Sequence, residues 1–257
     1  WGQEIEFCVP GMEQYMDMLP TTANWPKEIY YRLLVGEALP AQLRRLLYLD
    51  VDIIVNGPLQ ELYFMDLKDM EIAAADDTMI QGNFSEAQKN LLGEEVRYFN
   101  SGVILYDMDK VREKYTFDTY FQTARRADFM LTNPDQDLLN YVHADRVLYL
   151  DEKYNAFSQN IRYEGELSDV LEQLPPLIHF AGRKPWDYNG VRYDLEKLWW
   201  IYARETPFYI ELMEEVFWNS FADDSYYTIM ALLKENKELK EALEKSMQLC
   251  RKLCESH

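Results

Sequence analysis

Cysteine is scarce. The chain has 257 residues and three cysteines, Cys8, Cys250 and Cys254. Three sulfurs build no disulfide framework, and the count fits a reducing cytoplasm. Cys250 and Cys254 stand four apart on an expected helix, but no further cysteine partners them as metal ligands. They read as residues of one helix face. Long apolar runs are missing too. No stretch of about 18 apolar residues occurs, so no transmembrane helix is expected, and no signal peptide is read at the start. Positive charge is short: 26 Lys and Arg stand against 45 Asp and Glu, a net charge of −19. That balance speaks against nucleic-acid binding, which needs a basic footprint. It gives no support to adhesion on anionic lipid. An acidic protein still holds an anionic substrate where a metal or a few basic side chains invert the local field. There is no internal repeat.

Apolar and aromatic residues are plentiful, at 48% and 14%. A chain of this length and composition builds one large α/β domain with an appendage, and disorder is not expected.

The organising stretch is Asp50-Val51-Asp52. The apolar run Leu46 to Leu49 reads as a buried strand of a mostly parallel sheet. It ends in two carboxylates one residue apart. On an extended segment such side chains point the same way. Two aspartates aimed at one spot repel unless a cation lies between them, and a divalent ion takes hard oxygen ligands. Open α/β sheets place ligands at the carboxyl ends of strands. The plain alternative is a solvated strand end.

Along the chain, Glu4 to Val9 alternates polar and apolar and reads as a strand. Pro26 opens a helix carrying Tyr31 and Arg32, which runs to about Leu39. Leu59 to Phe64 is a short helix, and Glu71 to Ala75 a strand ending in Asp76-Asp77, two acids that either serve a second polar role or, as the preferred reading, close the strand in solvent. Ser85 caps a helix to about Leu92. Asn100-Ser101-Gly102 enters a strong strand, with two hydrogen-bonding side chains and a glycine that admits close approach. Helices follow over 109–115 and 117–130. Asp135 and Asp137 open a helix, where capping alone could explain them. Val147 to Leu150 is a strand. Leu177-Ile178-His179 is a buried strand followed by Gly182-Arg183-Lys184. His179 is either a core histidine or a third ligand beside Asp50 and Asp52, an O,O,N set suited to Mn²⁺ or Mg²⁺. Arg183 and Lys184 would then face phosphate oxygens.

Glu205 to Phe221 reads as an amphipathic helix on the domain. From Ile229 the heptad a positions are Ile229, Asn236, Leu243 and Cys250, and the d positions Leu232, Leu239, Ser246 and Leu253. This is the pattern of a short two-stranded coiled coil over 229–253, or of a helix packed on its own domain.

Five of these motifs, in this order, resemble glycosyltransferase family 8, the retaining enzymes that include glycogenin and the bacterial lipopolysaccharide galactosyl- and glucosyltransferases. They are Tyr31-Arg32-Leu33, Tyr48-Leu49-Asp50-Val51-Asp52, Phe99-Asn100-Ser101-Gly102-Val103, Asp135-Gln136-Asp137-Leu138-Leu139-Asn140, and His179-Phe180-Ala181-Gly182 with Lys184-Pro185-Trp186. The resemblance implies a Rossmann-like GT-A fold with a mixed central sheet over residues 1–205, then a C-terminal helical appendage over 206–257. It implies transfer of a glucose or galactose unit from a UDP-sugar to a glycan or lipid-linked acceptor, in the cytoplasm or at the inner face of the membrane. Asp50, Asp52 and His179 would hold Mn²⁺ (or Mg²⁺). Arg32, Asp50, Asn100, Ser101, Gly182 and Arg183 would surround the donor. Asp135 would hold donor-sugar hydroxyls, Gln136 would face the anomeric carbon, and Lys184 the leaving phosphate.

Two departures from the family pattern enter the expectations. His179 to Lys184 is five positions where members commonly have six, so Arg183 is a substitute candidate for Lys184. The family's opening strand–helix unit, with its uridine contacts, is not recognised before Ile5. Such a unit takes roughly 30 residues or more, so on the order of 60 residues of the family's opening are expected to be absent from this sequence. Two other readings compete. An aspartyl phosphohydrolase wants a small hydroxyl residue where Ile54 stands. An inactive sugar-nucleotide or glycan-binding module would dimerise through the C-terminal helix.

Overall fold

The computed structural model describes residues 5–8, 17–21, 26–182, 184–187 and 195–220. The chain divides into two compact units, 1–181 and 182–257. The expected coiled coil over 229–253, with Asn236, Cys250 and Cys254, lies outside the described residues, as does Arg183.

The first unit is built on two sheets. The larger has strands β1 (Arg45–Leu49), β3 (Ile72–Ala74), β4 (Val103–Asp107) and β5 (Val147–Tyr149), in the order β1-β4-β3-β5. β4 runs antiparallel to both β1 and β3, while β3 and β5 are parallel. The sheet is therefore mixed, and the expectation of parallel pairing for β1 is corrected. β1 is half-buried along its length rather than buried on both faces. The smaller sheet joins β2 (Ile53–Val55), β6 (Ala156–Phe157) and β7 (Leu177–His179) in the order β2-β7-β6.

The alternation of side chains along β3 and β4 divides the core. Ile72, Ala74, Ile104 and Tyr106 point into one apolar cluster with Tyr30, Leu34, Leu138 and Leu139. Ala73, Ala75, Val103 and Leu105 point into a second with Leu62, Leu67 and Leu177. A strand with period two presents opposite faces, and both faces here are covered. Each fully buried Leu or Ile in these clusters contributes roughly 1.5–3 kcal/mol of transfer free energy.

Local signals in the sequence set the helix ends. Ser85 and Gln88 form a capping box at the head of helix Glu86–Leu92, which satisfies two otherwise orphaned donors. Pro134 occupies the first turn of helix Pro134–His143, where its missing N–H costs nothing. Helix Phe117–Arg126 stops short of the expected Met130, because Asp128 and Phe129 turn into left-handed backbone with φ of 48° and 56°. The segment expected as one helix from Pro26 is a 3₁₀ helix, Lys27–Leu34, running into an α-turn at Val35–Ala38. The expected N-terminal strand is also corrected. Ile5–Cys8 carries no strand, and Ile5 and Phe7 are exposed. Alternation makes a strand only where an edge offers a partner.

In the second unit, helices Glu196–Ala203 and Tyr209–Ser220 are described. Trp186 and Trp199 meet in a tilted contact with ring centroids 4.9 Å apart, and the Trp200 indole N–H donates to the Pro185 carbonyl. Among the described residues no helix is long and apolar enough to cross a membrane.

Candidate functional site

The site lies where the chain crosses from one sheet to the other. β1 ends at Leu49 in the larger sheet and β2 begins at Ile53 in the smaller. The crossing is Asp50-Val51-Asp52, and it is a turn rather than a continuation of the strand. Val51 is flung outward, 97% exposed, while Asp52 is buried. The Asp50 amide donates to the Gly102 carbonyl, and the Phe180 amide to the Asp52 carbonyl. These two bonds fix the turn at both ends. The β2–β7 register sets Ile53 opposite His179, which brings the imidazole to the carboxylates.

Each of Asp50, Asp52 and His179 offers one ligand atom, and these atoms all lie within 4.8 Å of one another. His179 Nε2 is 3.3 Å from Asp52 Oδ1 and 4.0 Å from Asp50 Oδ2. His179 Nδ1 is 2.8 Å from Asn155 Oδ1. This donor set fits a divalent cation: two hard oxygens and one nitrogen converge, and the second ring nitrogen has its own partner behind it. Gly102 is part of the fit. A Cβ there would collide with the His179 ring, so the close approach expected at this glycine is that of the histidine.

Arg32 is the buried cation of the site. Its Nη2 donates to Asp50 Oδ1 at 2.7 Å, and its Nε faces Asp135 Oδ2 at 3.1 Å. Its Nη1 donates to the Ser101 carbonyl and hydroxyl, both at 2.8 Å. Burial opposes the guanidinium charge, but Asp135 and Asp50 outweigh it and hold the group more firmly protonated than usual. Burial pushes the Asp135 carboxyl above its ordinary range; Arg32 pulls the other way and Asp50 adds to the rise. The Tyr48 hydroxyl donates to the same Asp50 oxygen at 2.8 Å.

Gln136 is tied at both ends. Its carbonyl accepts from the Ser101 amide at 2.8 Å, and its amide donates to Asp77 Oδ2 at 3.0 Å. Asp77 also accepts from Asn100 Nδ2 at 3.0 Å and from the Met79 and Ile80 amides. The expectation of a solvated strand end thus holds for Asp76, which pairs with exposed Arg97, and fails for buried Asp77. The capping reading holds for both acids, since Asp135 takes backbone amides of its own first turn while it also faces Arg32. Asp137 accepts from the Thr132 and Asn133 amides, from Gln88 and from the Tyr98 hydroxyl.

The first unit therefore brings together Arg32, Asp50, Asp52, Asn100, Ser101, Asp135, Gln136 and His179. Gly182 and Lys184 belong to the second unit. There Gly182 has a φ of 83°, a left-handed backbone that glycine adopts freely, and the Lys184 amide donates to the Asp187 carboxylate at 3.0 Å. Asp77 and Asn155 were not singled out from sequence. The signal for Asp77 was present, an acid pair closing an apolar strand. No local pattern marks Asn155.

A mixed α/β sheet with an Asp-x-Asp turn, a histidine and a buried arginine beside it frames the site. The model of the family described as glycosyl transferase family 8 matches residues 4–190, and the chain belongs to that family. Glycosyltransferase GlyF of Streptococcus pneumoniae serotype 4 is 32% identical over 176 residues, which are 67% of this chain and 41% of that protein. A lipopolysaccharide 1,2-glucosyltransferase of Escherichia coli K12 is 28% identical over 193 residues, covering 69% of this chain and 56% of its own. The chain spans about half the length of the curated relatives it matches. Among solved structures, the galactosyltransferase LgtC in complex with donor and acceptor sugar analogues superposes with a TM-score of 0.59 at 24% identity, over 72% of this chain and 69% of that one. That likeness is one of fold.

Proposed function

We propose that this chain carries the catalytic domain of a retaining glycosyltransferase. It would move a glucose or galactose unit from a UDP-sugar to a glycan or lipid-linked acceptor. The carrying observation is the convergence of Asp50, Asp52 and His179 beside the Arg32–Asp135 pair. Relatives named as lipopolysaccharide glucosyl- and galactosyltransferases support a hexose as the transferred group. A bound divalent cation, Mn²⁺ or Mg²⁺, would offset the negative charge that develops on the departing diphosphate.

The protein's own groups have separable tasks. Asp50, Asp52 and the Nε2 of His179 would hold the ion. Arg32 bonds Asp50 and faces Asp135, which keeps both carboxylates aimed, so neither has to reorganise during reaction. Asp135 and Ser101 would accept and donate hydrogen bonds to donor-sugar hydroxyls. Gln136 has its carbonyl occupied by Ser101, which makes it a poor nucleophile and favours attack from the leaving-group side. Asp135 remains the candidate if a covalent route operates. Lys184 or Arg183 would supply charge to the leaving phosphate. We keep the catalytic domain at 1–205 and the helical appendage at 206–257, with pairing of 229–253 between copies, as part of this proposal.

The test is product stereochemistry. With UDP-glucose or UDP-galactose, Mn²⁺ and a glycan acceptor, NMR of the product should show an α linkage from the α donor. A β linkage would overturn the retaining assignment.

A further inference from the structure

Behind the triad a chain of side-chain amides runs from Asp77 to His179. Asp77 Oδ2, a carboxylate oxygen that only accepts, receives Asn100 Nδ2 at 3.0 Å. Asn100 Oδ1 is thereby turned the other way, and there it accepts from the Gly102 amide at 2.9 Å and from Asn155 Nδ2 at 2.8 Å. The orientation of Asn100 is anchored twice, by an obligate acceptor and by a backbone donor. Asn155 must then present its carbonyl oxygen to His179 Nδ1, 2.8 Å away. All four side chains are buried.

We propose that Asn155 is a positioning residue which, held by Asn100 and Asp77, accepts the Nδ1–H of His179 and so turns the Nε2 lone pair to the Asp50–Asp52 side. The relay is needed because the carboxylates compete for that proton. Asp52 Oδ1 lies 3.3 Å from Nε2 and would accept an N–H from it. A histidine protonated at Nε2 cannot ligate through that atom, so the second ring nitrogen's partner decides which tautomer is presented. Gly102 serves twice, as the amide that anchors Asn100 and as the gap into which the His179 ring fits.

This deepens the proposed function and rests on it for what the lone pair would bind, but the tautomer is a property of the chain alone. The experiment is therefore run without metal. Imidazole ¹⁵N shifts are recorded on the full 257-residue chain at a pH high enough for a neutral ring. His179 is assigned among the three histidines by comparison with His179→Asn. The wild-type ring should carry its proton on Nδ1. Asn155→Asp gives up the donor to Asn100 Oδ1 but keeps an acceptor at Nδ1, and should leave the proton there. Asn155→Ala removes the side-chain acceptor at Nδ1 and should move the proton to Nε2, where the carboxylates stand. A wild-type proton on Nε2, or one that stays on Nδ1 in Asn155→Ala, overturns the relay. Mn²⁺ titration by EPR then separates the two claims. Affinity should fall roughly tenfold in Asn155→Ala and recover in Asn155→Asp. Wild-type protein that binds no Mn²⁺ while keeping the Nδ1 proton would reject the metal reading and retain the relay.

Discussion

His179 reaches the two aspartates because residue 102 has no side chain. Gly102→Ala puts a methyl group into the imidazole, and the ring must move or the strand must shift. Overpacking of this kind costs about 1–3 kcal/mol. We expect Gly102→Ala to lower the urea midpoint and to weaken Mn²⁺ binding together, checked by chemical denaturation and EPR. Wild-type Mn²⁺ affinity in a folded Gly102→Ala protein would show that the ring's position does not matter. At this scale the sequence was readable where chemistry sits at strand ends. Asp50, Asp52, His179, Asn100 and Gly102 all follow or precede strong apolar runs. Asp77 was legible only as one of an acid pair closing a strand and Asn155 not at all, because their roles come from partners 23, 55 and 24 residues away along the relay. No spacing rule encodes such contacts.

Elements position these residues, and helix Pro134–His143 shows how. Its first turn offers two aspartates on successive alternate positions with different fates. Asp135 meets Arg32, whereas Asp137 takes two backbone amides of the preceding turn and two side-chain donors. Asn140 then clamps the Phe99 backbone through both its amide atoms. Asp137→Ala leaves buried donors without an acceptor, at about 1–3 kcal/mol for each group so stranded. It should reduce thermal stability strongly. Because Asp137 touches none of Asp50, Asp52 or His179, folded variant protein should bind Mn²⁺ as wild type does. Lost Mn²⁺ affinity in folded Asp137→Ala would place this acid in the site instead. Helix starts were legible through Ser85 and through the acids Asp135 and Asp137, whose local chemistry suffices. The direction of β1 was not, since an apolar run states burial and not which neighbour it pairs with. The register Leu49↔Val103 is a non-local choice made by the whole sheet.

For the molecule as a whole, acidity is the dominant property, and one buried acid, Glu71, contributes to its response to pH. Glu71 accepts from Lys114 Nζ at 2.5 Å and lies 3.2 Å from His143 Nδ1. Burial alone would raise its pKa, but the hydrogen bonds from His143, Lys114 and Tyr115 prevail and hold it at about 2 against an ordinary 4.5. The unfolded chain therefore takes up this proton first. Glu71 contributes stability that is complete above about pH 4.5 and is lost as pH falls toward about 2. Burial lowers the His143 pKa, so protonating that ring also favours the unfolded chain in acid. Urea midpoints measured against pH should fall across this window, and Glu71→Gln should be less stable at neutral pH with a shallower acid fall. An unchanged acid limb in Glu71→Gln would place the acid sensitivity elsewhere.

The account depends most on three side chains forming one cation site. Mn²⁺ titrated into the 257-residue chain and followed by EPR, with and without UDP, tests that directly. One bound Mn²⁺ is predicted for the wild type, tightened by UDP and lost in Asp52→Asn. Equal Mn²⁺ binding in wild type and Asp52→Asn, or none in either, would contradict it.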